Sequence, residues 1–228
     1  MYIKENLSEI NENIYKSLQR VGRKDNVELI AVTKTVDIDR IEEAISLGIT
    51  DIGENRVQEL EKKIDALGNR VNYHLIGSLQ TNKVRFIIDE VKLIHSLDRV
   101  SLAKELEKRA KMNNILVNAL IQVNVAEEET KSGLRVDEVI SFIEEIQKYE
   151  NIRIKGLMTI APFTDDEAIL RNVFRTMNSL KENIISRDYE NVSMDYLSMG
   201  MTNDYEIAIE EGSNMIRVGT GIFGKRNY

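Results

Sequence analysis

Among the residues able to do chemistry in this 228-residue chain, Lys34 stands in the most informative setting. It follows the apolar run Leu29-Ile30-Ala31-Val32 within Val27–Lys34, a stretch that reads as a strand buried on both faces. Side chains alternate across a strand, so Ile30, Val32 and Lys34 share one face while Leu29 and Ala31 share the other. An amine at the C-terminal end of a buried strand, among apolar neighbours, is where a lowered pKa is easiest to obtain. A neutral amine can condense with an aldehyde to form a Schiff base. Taken alone, such a lysine more often leaves the strand and carries its charge to solvent.

Two glycine-rich stretches near the far end of the chain change that balance. Ser198-Met199-Gly200-Met201-Thr202-Asn203-Asp204 and Arg217-Val218-Gly219-Thr220-Gly221-Ile222-Phe223-Gly224 are rich in small and hydroxylated residues, which expose backbone N–H groups and hydroxyls to an anion. Alternation along Met215–Gly219 puts Met215, Arg217 and Gly219 on one face and the apolar Ile216 and Val218 on the other. Arg217 is then either a ligand contact or half of an internal salt bridge, with Glu54 as one partner. Gln122 and Asn124 share a face of another apolar run. His74 and His95 are either an acid–base pair or satisfied core histidines. The acidic run Glu127-Glu128-Glu129 reads as solvated surface, and no metal-ligand cluster is visible.

The elements that must position these groups follow one pattern. Leu7, Ile10, Ile14, Leu18 and Val21 recur at helical spacing over residues 4–21, closed by Gly22. After the Lys34 strand, Asp37 is placed to cap a helix that Gly48 stops. Strands are then expected at 49–53, 73–77, 91–96, 119–125, 154–159, 196–198 and 215–218. Helices are expected to open at Glu54 and to cover 82–88, a long stretch after Asp98, and about 137–149, 165–185 and 204–211. Strand and helix alternating about eight times predicts parallel strands joined by crossover helices. Length and count favour a (β/α)8 TIM barrel with an extra N-terminal helix, a single α/β domain over residues 1–228. No G-x-G-x-x-G follows the first strand, which argues against an open dinucleotide-binding sheet. In a closed barrel the eighth strand returns beside the first. Lys34, Arg217 and both glycine-rich loops then meet at the C-terminal face, which predicts a phosphorylated ligand with an aldehyde end.

Composition narrows the class further. Cysteine is absent, which excludes disulfides, zinc–thiolate sites and a cysteine nucleophile. A net charge of −7 argues against nucleic acid as the main partner. The N-terminus lacks the apolar run of a signal peptide, and no stretch reaches membrane-spanning length. The expectation is a cytoplasmic protein without nucleic-acid or membrane partners, a monomer in preference to a dimer.

Several motifs occur together in one order: Ala31-Val32-Thr33-Lys34-Thr35, Gly53-Glu54-Asn55-Arg56-Val57-Gln58-Glu59, and His74-Leu75-Ile76-Gly77-Ser78-Leu79-Gln80-Thr81-Asn82-Lys83. Gln122-Val123-Asn124-Val125, Glu128-Glu129-Thr130-Lys131-Ser132-Gly133, Gly156-Leu157-Met158-Thr159, Ser198-Met199-Gly200-Met201 and Ile216–Gly224 continue the series. In this combination the chain resembles the YggS-like pyridoxal phosphate homeostasis proteins, related in fold to the N-terminal barrel of alanine racemase. The resemblance covers nearly the whole chain. It implies pyridoxal 5′-phosphate as cofactor, held as a Schiff base on Lys34. It also implies phosphate contacts from Ser198, Gly219 and Thr220, with Met199 in the same segment, Arg217 near the pyridine nitrogen and Asn55 lining the pocket. The sequence departs from many relatives at Val36-Asp37, where they carry a proline, and at Thr202, where they carry serine.

The function so implied is that of a carrier or regulator in intracellular pyridoxal phosphate homeostasis, with no catalytic residue and little or no turnover, and with apo forms of pyridoxal phosphate-dependent enzymes as candidate recipients. An arginine at the ring nitrogen, where a carboxylate would hold a pyridinium, weakens the electron sink. The β-rich domain that supplies the second base in alanine racemase is expected to be missing after the eighth strand. Two other readings stay open: a weak amino-acid racemase using Lys34 and a base such as His74, and a Schiff-base aldolase for a sugar phosphate.

Overall fold

Eight short apolar runs, each answered by a helical or turn segment, fold as parallel strands that close on themselves. The computed structural model describes residues 2–224. The strands are β1 (Glu28–Val32), β2 (Asp51–Glu54), β3 (Asn72–Leu75), β4 (Leu93–Leu97), β5 (Val117–Gln122), β6 (Ile152–Met158), β7 (Val192–Ser198) and β8 (Met215–Val218). They pair in sequence order, with β8 beside β1. The helices are α1 (Tyr2–Arg20), α2 (Ile38–Ser46), α3 (Val57–Leu67), α4 (Val100–Asn113), α5 (Val139–Ile146), α6 (Glu167–Ile185), α7 (Tyr205–Glu210) and the single turn α8 (Thr220–Phe223). This is the TIM barrel predicted, with α1 as the extra N-terminal helix.

Strand alternation sorts the side chains into two cores. Ile30, Leu93, Leu120, Met158 and Met215 pack together inside the barrel. Their strand neighbours Ala31, Ile94, Ile121, Leu157 and Ile216 face the helix layer and join its larger core. A buried leucine or isoleucine contributes about 1.5–3 kcal/mol, so a one-residue slip of any strand would exchange both faces at once. Register therefore fixes which residues reach the barrel mouth. Ile30 pairs with Arg217, and Ala31 with both Ile52 and Val218.

The helix layer is tied down by polar contacts as well as apolar packing. α1 lies on α7 and α8, where Asn6 Nδ2 donates to the Ile222 carbonyl at 2.9 Å and Asn13 Nδ2 to the Tyr205 hydroxyl at 3.1 Å. Arg20 of α1 pairs with Glu206 and Glu210, and Arg171 of α6 with Glu210 and Glu211. This network ties α7 to α1 on one side and to α6 on the other.

Several boundaries differ from expectation. Glu54 ends β2 instead of opening a helix, and α3 begins at Val57. The tertiary partner of Glu54 explains this: Lys63 of α3 reaches back to its carboxylate. Residues 81–86 form a 3-10 segment (Thr81–Phe86), not an α-helix, and residues 136–138 form a 3-10 turn ahead of α5. β7 runs for seven residues instead of three: its start pairs with β6 at Val192 and Ile154, and Lys155 of β6 meets the charge of Asp195 in mid-strand. Asp37 occupies the N-cap position of α2 but its side chain makes no capping bond, whereas Asp166 caps α6 by accepting from Ala168 N at 2.9 Å.

Candidate functional site

Lys34 lies two residues past β1 at the C-terminal mouth of the barrel, half-buried, on the same face as Ile30 and Val32. It lines three adjoining clefts. One, of 310 Å³, extends over the barrel mouth to Asn55, Gln122, Asn124, Lys131 and Arg217. A second, of 160 Å³, runs between the β1 and β8 ends to Arg40, Gly219 and Thr220. The third, of 350 Å³, continues to Lys131, Ile160, Phe163 and Thr202. Lys34, Lys131 and Arg217 stand on the first cleft, which is lined by no carboxylate among the described residues. Three cations converging on one cleft make this mouth attractive to an anion.

The loops keep these groups close. A Cβ on Gly219 would stand 3.3 Å from Val32, so the chain after β8 passes directly alongside the end of β1. Thr220 Oγ1 donates to Thr202 Oγ1 at 3.1 Å, and Thr202 in turn accepts from Gly221 N, which joins the β7 and β8 loops. Lys131 comes from the β5–α5 loop, where Asn124 Nδ2 donates to the carbonyls of Glu128 and Lys131 and Gln122 Nε2 to that of Ser132. The Lys131 ammonium donates to the Ala161 carbonyl and to Glu128, which aims its stem across the cleft.

Arg217 is the buried centre of the mouth. Its Nη1 donates to Ser198 Oγ at 2.6 Å and its Nη2 to the Thr159 carbonyl at 2.8 Å. Burial pushes its pKa down to about 10, opposed by the charge of Asp204. Glu54, the salt-bridge partner weighed from sequence, faces the helix layer and is engaged by Lys63 and by Thr33 Oγ1. Arg217 therefore keeps its charge directed at the barrel mouth.

Below Arg217 runs a chain of buried side chains. Ser198 Oγ lies 3.2 Å from His95 Nδ1, His95 Nε2 lies 2.9 Å from His74 Nδ1, and His74 Nε2 lies 2.9 Å from Asp51 Oδ1. Asp51 also accepts from Lys92 at 2.9 Å and from Thr50 at 2.7 Å. Burial raises the Asp51 carboxyl, but hydrogen bonds from His74, Lys92 and Thr50 outweigh it and hold the group well below the usual carboxylate range. Burial, then the neighbouring charges of His74 and Arg217, lower His95.

Of the residues selected from sequence, Lys34, Asn55, Arg217, Gly219 and Thr220 come together around these clefts. Ser198 and Met199 do not line them. The Ser198 hydroxyl is turned into the barrel toward His95 and Arg217, and Met199 is packed in the helix-layer core. Sequence reasoning gave no site role to Arg40 or to Lys131, although Lys131 stands in one of the shared motifs. Lys131 carried a signal, since it follows the Gln122/Asn124 strand in a polar loop.

The alanine racemase N-terminal domain model matches residues 6–227 of the chain. The pyridoxal phosphate homeostasis protein of Aquifex aeolicus (strain VF5) is 44% identical over 226 residues, covering 98% of each chain. The crystal structure of an unknown protein from Bifidobacterium adolescentis is similar at a TM-score of 0.93 and 35% identity, covering 97% of this chain and 94% of that one. PipY of Synechococcus elongatus PCC7942, solved with PLP bound, gives a TM-score of 0.83 at 30% identity, over 97% of this chain and 100% of that one. With matches of this extent, the chain belongs to the pyridoxal phosphate homeostasis protein family, which shares the barrel of the alanine racemase N-terminal domain.

Proposed function

We propose that this protein holds pyridoxal 5′-phosphate at the barrel mouth, covalently through the Lys34 amine, and works in pyridoxal phosphate homeostasis as a carrier or regulator with little or no turnover. The observation that carries the reading is the buried Arg217 guanidinium, fixed by Ser198 and Thr159 on the same cleft as Lys34. The donor set fits the group: an amine for the aldehyde, a cationic mouth for the phosphate and a guanidinium for the ring nitrogen. When bound, the cofactor supplies an aldehyde that condenses with amines and a ring that draws electron density from them.

Each residue of the chain has a separable task in this reading. Lys34 forms the covalent attachment. Gly219 and Thr220 receive the phosphate in the cleft beside β1, within the field of Arg40. Asn55, Ile76 and Met201 line the same cleft and would enclose the ring. Arg217 would hold the ring nitrogen; a cation at this point would oppose protonation there and so restrain the electron-sink chemistry that turnover needs. Ser198 contributes by orienting Arg217, and Met199 by anchoring the strand end that carries Ser198. The unit doing this is the one domain of residues 1–228, acting as a cytoplasmic monomer, with apo forms of pyridoxal phosphate enzymes as recipients.

The test is the visible absorption spectrum of the purified protein after incubation with pyridoxal phosphate, for wild type beside Lys34→Ala. The expected result is a band in wild type that is lost in the variant. A wild type that stays colourless would overturn the proposal and favour the sugar-phosphate aldolase reading. The racemase reading is tested by turnover. Its candidate base, His74, is completely buried, lines none of the three clefts and is already bonded through both ring nitrogens. Stoichiometry-independent racemisation of any amino acid would nevertheless establish an enzyme.

A further inference from the structure

Both histidines of the chain lie in the barrel interior, and all four of their ring nitrogens meet a side chain. A histidine pair that merely filled space could satisfy itself with backbone carbonyls. Here the partners come from five strands: Asp51 of β2, His74 of β3, His95 of β4, Ser198 of β7 and Arg217 of β8. The result is one unbroken file of hydrogen bonds from the barrel mouth toward the opposite, N-terminal face. There Lys92, one-third exposed, pairs with Asp51 and Glu28.

The hydrogen-bonding capacity of each member dictates the direction of the file. Asp51, held as a carboxylate, can only accept, so His74 carries a proton on Nε2. In the neutral ring His74 Nδ1 is then bare, and His95 must donate to it from Nε2. That leaves His95 Nδ1 bare, so Ser198 donates its hydroxyl proton to it, and Arg217 donates to the remaining lone pairs of Ser198. A single arrangement satisfies every atom with both rings neutral, and every donor in it points from the cation at the mouth to the anion at the far end.

We infer that His74 and His95, with Asp51 and Ser198, form a directional proton-linked relay that positions Arg217 for the ring of the bound ligand and couples ligand occupancy to the protonation of the histidine pair. This rests on the assignment of Arg217 to the ring end made above. One added proton turns round the two middle bonds, while Arg217 still donates to Ser198 and His74 Nε2 to Asp51. Ser198 passes its hydroxyl proton to no one, His95 carries its proton on Nδ1 and donates to Ser198, and His74 holds protons on both nitrogens beside Asp51. The proton is gained from solvent, and no bond between heavy atoms changes. The charged groups facing the pair are Glu28 of β1, Asp51 of β2, Lys92 ahead of β4 and Arg217 of β8, with Tyr196 of β7 titratable nearby and Asp204 beyond Arg217. β5 and β6 contribute the apolar Leu120 and Met158. Loading the mouth with an anionic ligand favours a proton on the pair, and by linkage a proton on the pair favours the ligand.

The test is nitrogen NMR of the full chain with 15N-labelled histidine, in which two residues give every signal. In the ligand-free protein near neutral pH, both rings are expected as Nε2–H tautomers with bare Nδ1 atoms. Addition of pyridoxal phosphate, with loading read from the visible band of the same sample, is expected to shift the His95 Nδ1 resonance and, through it, those of His74. Asp51→Asn releases the fixed direction and is expected to shift the visible band of the loaded protein, although the change lies at the far end of the file. A His95 protonated at Nδ1 in the free protein, or ring signals that do not move when the visible band shows full loading, would overturn the relay. Absence of any visible band would instead strike the pyridoxal phosphate reading, while the tautomers of the free protein still judge the direction of the file.

Discussion

Arg217 Nη1 donates to Ser198 Oγ at 2.6 Å, and this bond joins the last two strands of the barrel at the point where they carry the mouth's buried charge. β7 and β8 are in register at Ser198 and Met215, and backbone bonds from Met199 N to the Met215 carbonyl and from Arg217 N to the Gly200 carbonyl continue the seam, to which this side-chain bond adds. Arg217→Met removes a charge-assisted donor from the ring end and leaves Ser198 and the Thr159 carbonyl one partner short. Pyridoxal phosphate affinity is expected to fall roughly 10- to 100-fold, the range for one such bond. Arg217→Lys keeps the charge but cannot reach both partners, and is expected to fall between the two in a titration followed by the visible band.

Asp51 gives the fold a pH dependence whose sign is fixed. Its carboxyl is depressed in the folded protein, so the unfolded chain binds its proton more readily. The stabilisation is complete above the ordinary carboxyl value of 3.8 and is lost as pH falls below it. Asp51→Asn should lower the urea midpoint at pH 7 by an amount corresponding to about 1–3 kcal/mol. The gap between variant and wild type should narrow as pH drops through 3.8 toward 3. A gap unchanged between pH 7 and pH 3 would remove Asp51 from the acid response.

Lys63 and Glu54 form a buried pair between α3 and β2, and Lys63 also donates to the Thr33 carbonyl at 2.5 Å, one residue before Lys34. Lys63→Met leaves the carboxylate uncompensated and should cost about 3–5 kcal/mol. Adding Glu54→Leu to the same chain removes the stranded charge and should recover most of that loss. Urea denaturation of the two single variants and the double variant checks this; simple additivity of the three values would show that the pair is not coupled.

The sequence carried the barrel and its mouth for a specific reason. Strand alternation has a period of two, so Ile30, Val32 and Lys34, and likewise Met215, Arg217 and Gly219, could be assigned to one face from the chain alone. Helix boundaries were less visible where a tertiary contact decided them. Glu54 belongs to β2 because Lys63 comes from another element to meet it, and nothing local announces that. The sequence suggested His74 and His95 as a pair, but not the file that continues to Asp51 and Ser198. His74 pairs in register with Leu93, and only the shear of the closed barrel brings its ring to His95. Ser198 was marked as a phosphate group by resemblance, whereas its hydroxyl direction depends on Arg217 and His95 together.

Gly77 separates local strain from site geometry. A Cβ at this position, just beyond β3, would collide with the Asn55 carbonyl oxygen and stand 2.8 Å from the Asn55 Cα. The glycine thus lets the β3 end pack directly on the loop that presents Asn55 to the cleft. Gly77→Ala must push that loop aside, which should cost about 1–3 kcal/mol of stability as overpacking and weaken pyridoxal phosphate binding through displaced Asn55. Gly48→Ala offers the contrast. Gly48 has φ +102° with nothing within 4 Å of an added Cβ, so its alanine variant is strained in the backbone alone, far from the mouth. The expected outcome is lower stability in both variants but weaker binding only in Gly77→Ala, read by urea midpoints and by titration of the visible band. Equal binding in the two would mean that the Asn55 loop does not shape the cleft.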